Sequence, residues 1–281
     1  MKRKSAEIKK IVRQGYANAL AQSVSCCSAG SCCGGPGQAK KISKKVGYSD
    51  AEMNAVPEGA NLGFGCGNPV ALASLKKGDI VLDLGSGAGF DAFLAARRVG
   101  NTGRVIGVDM TPEMIAKAKE NAQKGNYANV EFRLGEIEKL PVEDNAVDVI
   151  ISNCVINLSP EKETVFKEAY RVLKPGGRLM VSDLVLVKEL PEAVKESVEA
   201  YVGCLAGAIT KDEYLQHITM AGFGKVRVES ETSYPIDAMA NDVTAQVVKQ
   251  NPNTTAEAGR DIAAAVVSIK VSATKMREKS V

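Results

Sequence analysis

The chain has 281 residues, 45% apolar and 25% charged, the composition of a water-soluble globular protein long enough for one α/β domain and an appendage. No stretch approaches the ~20 consecutive apolar residues of a membrane span. The basic start Met1-Lys2-Arg3-Lys4 has no apolar segment behind it, so a secretory leader is not expected. The net charge of +3 hides an asymmetry: residues 1–47 carry ten Lys/Arg and one acid, net +9, and the rest carry 26 basic and 32 acidic groups, net −6. Without Trp or an aromatic-plus-basic module, the basic segment reads as a solvated helix face and loop. A cytoplasmic protein that binds neither nucleic acid nor membrane is expected.

In chain order, residues 5–22 form an expected amphipathic helix. Ile8, Ile11, Val12, Gly15, Tyr16, Ala19 and Leu20 fall on one stripe, with Lys9, Lys10 and Arg13 off it. Residues 23–37 lack packing periodicity and hold Cys26, Cys27, Cys32 and Cys33 among Gly and Ser, which marks a loop. From about residue 69 the pattern alternates strand and helix. Strands are expected at 79–84, 104–109, 129–134, 147–152, 177–183 and 224–231, with helices between at 88–99, 112–124, 161–173, 191–202 and 211–221. Pro112 after Thr111 starts a helix, and Lys174-Pro175-Gly176-Gly177 reads as a stop and turn. A last strand is expected within 263–273. Such alternation implies an α/β, Rossmann-like, mostly parallel sheet flanked by helices. The expected domains are an N-terminal helical and Cys-rich segment (1–47), a nucleotide-binding core (48–232) and a small C-terminal α+β domain (233–281).

The cofactor signal is Gly85, Gly87 and Gly89, placed between a strand and a helix where the backbone must turn sharply and approach a ligand closely. A dinucleotide fingerprint requires its third glycine at position 90, which is Phe90. That departure disfavours NAD and FAD and suits S-adenosylmethionine (SAM), which has no pyrophosphate. Asp109, ending the second strand, is placed to accept hydrogen bonds from ribose hydroxyls. Met110 is expected on the adenine face, with Ile137 and Glu138 at the adenine edge and Asn153 on the cofactor side of strand four. These residues, with Asp83 and the 173–177 turn, resemble the class I SAM-dependent methyltransferases.

Seven cysteines without a secretory signal point to reduced thiols used as ligands or nucleophiles, not to a disulfide framework. One histidine, His217, disfavours triads and multi-histidine zinc sites. Cys26-Cys27 and Cys32-Cys33 are vicinal pairs, unlike zinc knuckles. Any single cysteine is more often a small buried hydrophobe than a ligand. Cys66 lies among small residues, Cys154 ends strand four, and Cys204 follows the 191–202 helix.

The segments NLGFGCGNP (61–69), VLDLGSGAGFD (81–91), SNCVINL (152–158), LKPGGRLMVSD (173–183), YVGCLAGA (201–208) and VVSIKVSATK (266–275) closely resemble the arsenite methyltransferase family. The resemblance implies arsenic(III) held as a metal-like centre by Cys66, Cys154 and Cys204, with Cys26 or Cys27 as a further N-terminal thiol. It implies SAM as methyl donor, arsenite, its thiol conjugates or methylated arsenic(III) as substrate, and glutathione or thioredoxin as thiol reductant. Thiolates favour soft, thiophilic centres. The arsenic lone pair would attack the SAM methyl without a general base. The vicinal pairs would pass arsenite inward, and Lys9, Lys10 and Arg13 would attract anionic glutathione adducts. The alternatives are a SAM-dependent methyltransferase of carbon or oxygen in a small organic molecule, and a non-catalytic arsenic-binding protein.

Overall fold

Short runs rich in Val, Ile and Leu build the centre of the molecule. In the computed structural model, which describes residues 5–24, 36–69, 73–190, 205, 207–233 and 264–277, they form one seven-stranded sheet. The strands are β1 (Ile80–Leu84), β2 (Arg104–Asp109), β3 (Val130–Leu134), β4 (Val147–Asn153), β5 (Leu173–Leu186), β6 (Gly224–Ser233) and β7 (Val266–Thr274). Their order is β3-β2-β1-β4-β5-β7-β6. β7 is antiparallel to both neighbours, and the pairs from β3 to β5 are parallel. The helices are α1 (Ser5–Val24), α2 (Pro36–Lys45), α3 (Asp50–Asn54), α4 (Phe90–Val99), α5 (Pro112–Lys124), α6 (Lys162–Val172) and α7 (Lys211–Met220).

Alternation along the strands divides the core in two. Leu82, Leu84, Ile106, Val108 and Ile150 pack with Phe166, Tyr214 and Phe223 on one side of the sheet. Val81, Val105, Val149 and Ile151 pack with Phe93, Ala96, Ile115 and Phe132 on the other. A third cluster covers the carboxyl end of β4: Val12 from α1, Cys66, Cys154, Leu158, Leu184, Leu186, Leu205 and Val266. Each fully buried Leu, Ile or Phe contributes about 1.5–3 kcal/mol on burial. The expected stripe of α1 is thereby explained, since Val12 and Leu20 are buried and Ile8 and Tyr16 are packed against this cluster.

Three elements differ from the sequence expectations. α2 begins inside the expected loop, with Pro36 as its first residue, a position where a missing N–H is harmless. Its sequence PGQAKKISKK has almost no apolar stripe to announce it. The expected turn at 174–177 is drawn into β5, which starts at Leu173. β4 residues Val147 and Val149 face Leu173 and Arg178, so the extra residues bulge outward, with Gly176 at φ +86°. β7 comes from the segment assigned to a separate C-terminal domain, yet it sits inside the sheet between β5 and β6. The boundary at 233 therefore does not separate sheet from appendage. The 191–202 helix and residues 234–263 lie outside the described residues. Among the described residues, no helix is long and apolar enough to cross a membrane.

Candidate active site

β1 is flanked by β2 on one side and β4 on the other, with the chain crossing over in opposite directions to reach them. Ligands in such sheets bind in the crevice outside the carboxyl ends of the strands at this switch point. Gly85, Gly87 and Gly89 form the turn from β1 into α4, all with positive φ. A Cβ on Gly87 would meet nothing within 4 Å, so this part of the backbone borders open space, as a ligand cradle should. Asp109, half-buried at the end of β2, braces the loop: the Gly87 N–H donates to its Oδ2 at 3.0 Å and the Thr111 N–H to its Oδ1 at 2.8 Å. The Thr111 hydroxyl and the Met110 N–H also donate to this carboxylate, so it is fixed in place at the mouth of the turn. Burial raises its carboxyl above the usual range, against the pull of those N–H groups. Behind the loop, Asp83 Oδ2 and Ser86 Oγ are buried with no hydrogen-bond partner. Burial, and then the charges of Asp91 and Asp109, pushes the Asp83 carboxyl well up. Unsatisfied polar atoms beside an open glycine turn fit a polar ligand such as SAM. The residues that would hold it are Asp83, Gly85, Gly87, Gly89 and Asp109.

The thiol site is built by the loop at 61–69 docking on the end of β4. Asn153 clamps it. Its Nδ2 donates to Gly67 O at 2.8 Å, to Tyr48 Oη at 2.9 Å and to Asp91 Oδ2 at 3.1 Å, while its Oδ1 accepts the Cys66 N–H at 3.0 Å. Tyr48 donates to Asp91 Oδ1 at 2.6 Å. Burial raises Asp91 to about 6, although both bonds oppose the rise. Gly67 is required by close approach, since a Cβ there would lie 1.8 Å from Ser182 Oγ. From the other side, Ser268 of β7 donates to Cys66 O at 2.8 Å. Cys154 takes the left-handed conformation, φ +58°, and its N–H donates to Ser182 O at 2.8 Å.

Cys66 and Cys154, expected as two reduced thiols, are joined as a disulfide across 88 residues with Cα atoms 5.8 Å apart. The reason is tertiary: Asn153 draws the loop onto β4 and seats one sulfur beside the other. Asp183, which follows Ser182 on β5, completes the cluster. One carboxylate oxygen and the two sulfurs lie within 4.8 Å of one another, and all three residues are buried. Burial raises the Asp183 carboxyl to about 7, opposed by the Leu184 N–H, the Lys162 charge and the Tyr214 hydroxyl.

The remaining site expectations divide. Met110 is half-buried against the thiol cluster. Ile137 is buried and packs in the core cluster that contains Leu84, Val108 and Ile156. Glu138 accepts from Ser159 Oγ at 2.6 Å and lies 3.2 Å from Lys9 Nζ. Lys9 also meets Glu136 at 2.9 Å, and Arg13 meets Glu136 at 3.6 Å, so α1 is tied to the loop after β3. The two carboxylates outweigh burial and raise the Lys9 ammonium. Lys9 and Arg13 are therefore paired with carboxylates within the fold. Asn153 spends its side-chain amide on the thiol loop, Tyr48 and Asp91. Cys26, Cys27 and Cys204 lie outside the described residues. Tyr48, Asp91, Asp183 and Ser268 were not singled out as site residues. Asp91, Asp183 and Ser268 lie within the segments 81–91, 173–183 and 266–275 that carry the family resemblance, and Tyr48 lies in none of them.

Replacing Asn153 with alanine orphans the Cys66 N–H and the Gly67 carbonyl and removes one of the two side-chain donors to Asp91, all in a buried setting. A loss of about 3 kcal/mol is expected, seen as a Tm lowered by roughly 5–10 °C. An unchanged melting curve would remove Asn153 as the clamp.

Residues 75–222 match the family described as a methyltransferase domain. The arsenite methyltransferase of Halobacterium salinarum is 49% identical over 230 residues, 79% of this chain and 59% of that protein. The arsenite methyltransferase of Homo sapiens is 35% identical over 215 residues, 73% of this chain and 55% of that one. The chain thus spans little more than half the length of these relatives. The crystal structure of an arsenic(III) S-adenosylmethionine methyltransferase from Chlamydomonas reinhardtii superposes with a TM-score of 0.61 at 31% identity, over 85% of this chain and 74% of that one. The sheet order, the glycine turn and these likenesses agree, and the chain belongs to the arsenite methyltransferase family within the class I SAM-dependent methyltransferases.

Proposed function

We propose that this chain transfers a methyl group from SAM to trivalent arsenic held by cysteine sulfur. The observation that carries the proposal is the buried pair Cys66 and Cys154, seated at the end of β4 beside the glycine turn. In the reduced state, two thiols replace two hydroxyls of arsenite and release two waters. Soft sulfur ligands suit the thiophilic arsenic. Arsenic keeps its lone pair, which would attack the sulfonium methyl; the new As–C bond forms as the methyl–sulfur bond breaks, leaving S-adenosylhomocysteine and a formally pentavalent methylarsenic, which two thiols return to arsenic(III) as they close to a disulfide. The protein's share is orientation and exclusion of water by the apolar cluster around the sulfurs. Cys204 would be a further sulfur ligand, taking the place of the last arsenic hydroxyl only when all three thiols engage, and Cys26 or Cys27 would deliver arsenite. Methylated arsenic(III) is a second substrate, since two sulfurs suffice to hold it. A thiol reductant, glutathione or thioredoxin, reopens the Cys66–Cys154 bond, which places the working enzyme in a reducing compartment such as the cytoplasm.

The test is turnover with SAM, glutathione and arsenite, separating arsenic species by chromatography with mass detection. Methylated arsenic together with S-adenosylhomocysteine supports the reading. Tight arsenite retention without S-adenosylhomocysteine would make the chain an arsenic binder. Turnover with a small organic acceptor alone would make it a carbon or oxygen methyltransferase and leave the buried sulfur pair without a role.

Asp109 both braces Gly87 and faces the cleft. Asp109→Ala should weaken SAM binding by about 30- to 100-fold, measured by calorimetry. Affinity within about threefold of wild type would remove it from the cofactor site.

A further inference from the structure

Methyl transfer to arsenic on two sulfurs makes no use of Asp183, yet its carboxylate lies against both of them. Ser182 is level with Asn153 in the β4–β5 pairing, so Asp183 stands beside Cys154. The carboxylate is held from behind. The Leu184 N–H donates to Oδ1 at 3.1 Å, the Tyr214 hydroxyl to Oδ2 at 3.1 Å, and the Asn157 backbone supplies a further bond. Tyr214 is itself fully buried and edge-on to Phe166, so it cannot swing away without opening the core. A carboxylate has about four acceptor sites. Three are accounted for, and the group sits with the two sulfurs in a pocket closed to water. A buried carboxylate facing a partner that offers no hydrogen is disfavoured, and one facing a hydroxyl gains a charge-assisted bond.

Arsenite that has exchanged two hydroxyls for two thiols, releasing two waters, keeps one hydroxyl. Monomethylarsonous acid that has made the same exchange keeps a methyl group there instead. We propose that Asp183 accepts a hydrogen bond from the remaining arsenic hydroxyl, and so makes the site prefer unmethylated arsenite to methylated arsenic(III). The inference rests on the arsenic methylation reading above. Two sulfurs and an anchored hydroxyl define three corners of the arsenic pyramid, which fixes the direction of its lone pair. A methyl at the third corner meets the carboxylate with no donor, loses that orientation and leaves the site more readily.

The test compares the reduced full-length chain with Asp183→Ala and Asp183→Asn, after melts and SAM binding have shown that each variant folds. For each, kcat/KM is measured with arsenite and with monomethylarsonous acid. In parallel, the concentration of each arsenical that protects Cys66 and Cys154 from alkylation is read by mass spectrometry. The preference for arsenite should fall about tenfold in Asp183→Ala and about fivefold in Asp183→Asn, where a neutral acceptor replaces a charged one. Rates with monomethylarsonous acid should stay within about twofold. The protection ratio should shift in the same direction. If Asp183→Ala fails to fold, the isosteric Asp183→Asn decides. An unchanged ratio in the folded variants overturns the proposal, as does an equal loss on both substrates, which a third thiol displacing the hydroxyl would produce. A wild type that methylates neither arsenical refutes the functional reading instead, and the protection ratio then judges Asp183 alone.

Discussion

Cys154→Ser and Cys66→Ser should each abolish arsenic methylation, with a fall of at least about 10³-fold, a loss of roughly 4 kcal/mol of transition-state stabilisation. A serine oxygen is a hard donor and a poor partner for arsenic(III), and arsenic loses one of the two buried sulfurs that fix its orientation. Both positions are buried, Cys66 at 3% and Cys154 at 8% exposure, so no neighbouring solvent-borne thiol can substitute. Neither sulfur belongs to the glycine turn or touches Asp109, and SAM binding should remain within about twofold. Arsenic speciation reads the first effect and calorimetry the second. A serine variant that keeps a tenth of the wild-type rate would take that sulfur out of the mechanism. Loss of SAM binding in the same variant would mean that the substitution disturbed the fold instead.

Oxidation should move stability and activity in opposite directions. The Cys66–Cys154 bond closes a loop of 88 residues, and in chain-entropy terms such a cross-link stabilises the folded chain by up to about 4–5 kcal/mol. The oxidised protein should therefore melt at a higher temperature than the reduced one. The same bond uses both sulfurs that arsenic requires. Oxidised protein should retain no arsenite after gel filtration and make no methylated product, and added reductant should restore both. Arsenite retained at full stoichiometry by the oxidised protein would show that other thiols hold the metalloid.

Much of this molecule was legible before any coordinates. The strands at 79–84, 104–109, 129–134 and 147–152 and the helices at 112–124 and 211–221 announce themselves by apolar runs, period and caps, which are properties of neighbouring residues. The glycine turn was legible for the same reason: Gly85, Gly87 and Gly89 lie next to the strand and helix they connect. α2 was not, because a helix of lysines and small residues has no stripe to read. The burial of Ile137 was not legible either, because sequence adjacency does not say which way a side chain turns after the strand ends.

The thiol site shows the limit most plainly. Cys66, Cys154 and Cys204 stood out by residue type and by likeness to a family, but nothing local pairs a residue with another 88 positions away. That pairing depends on Asn153 reaching four groups on three different segments. Asp183 ends the quoted segment 173–183 but has no role there by itself, and becomes a site residue only because the β4–β5 register sets it beside Cys154. Ser268 reaches Cys66 only because β7 is inserted between β5 and β6. Element identity, the cofactor loop and the choice of sulfur chemistry thus follow from sequence alone, since short-range sterics and donor type decide them. Which sulfurs meet, and which carboxylate faces them, follows only from the packed sheet, since burial and strand register act across the whole chain.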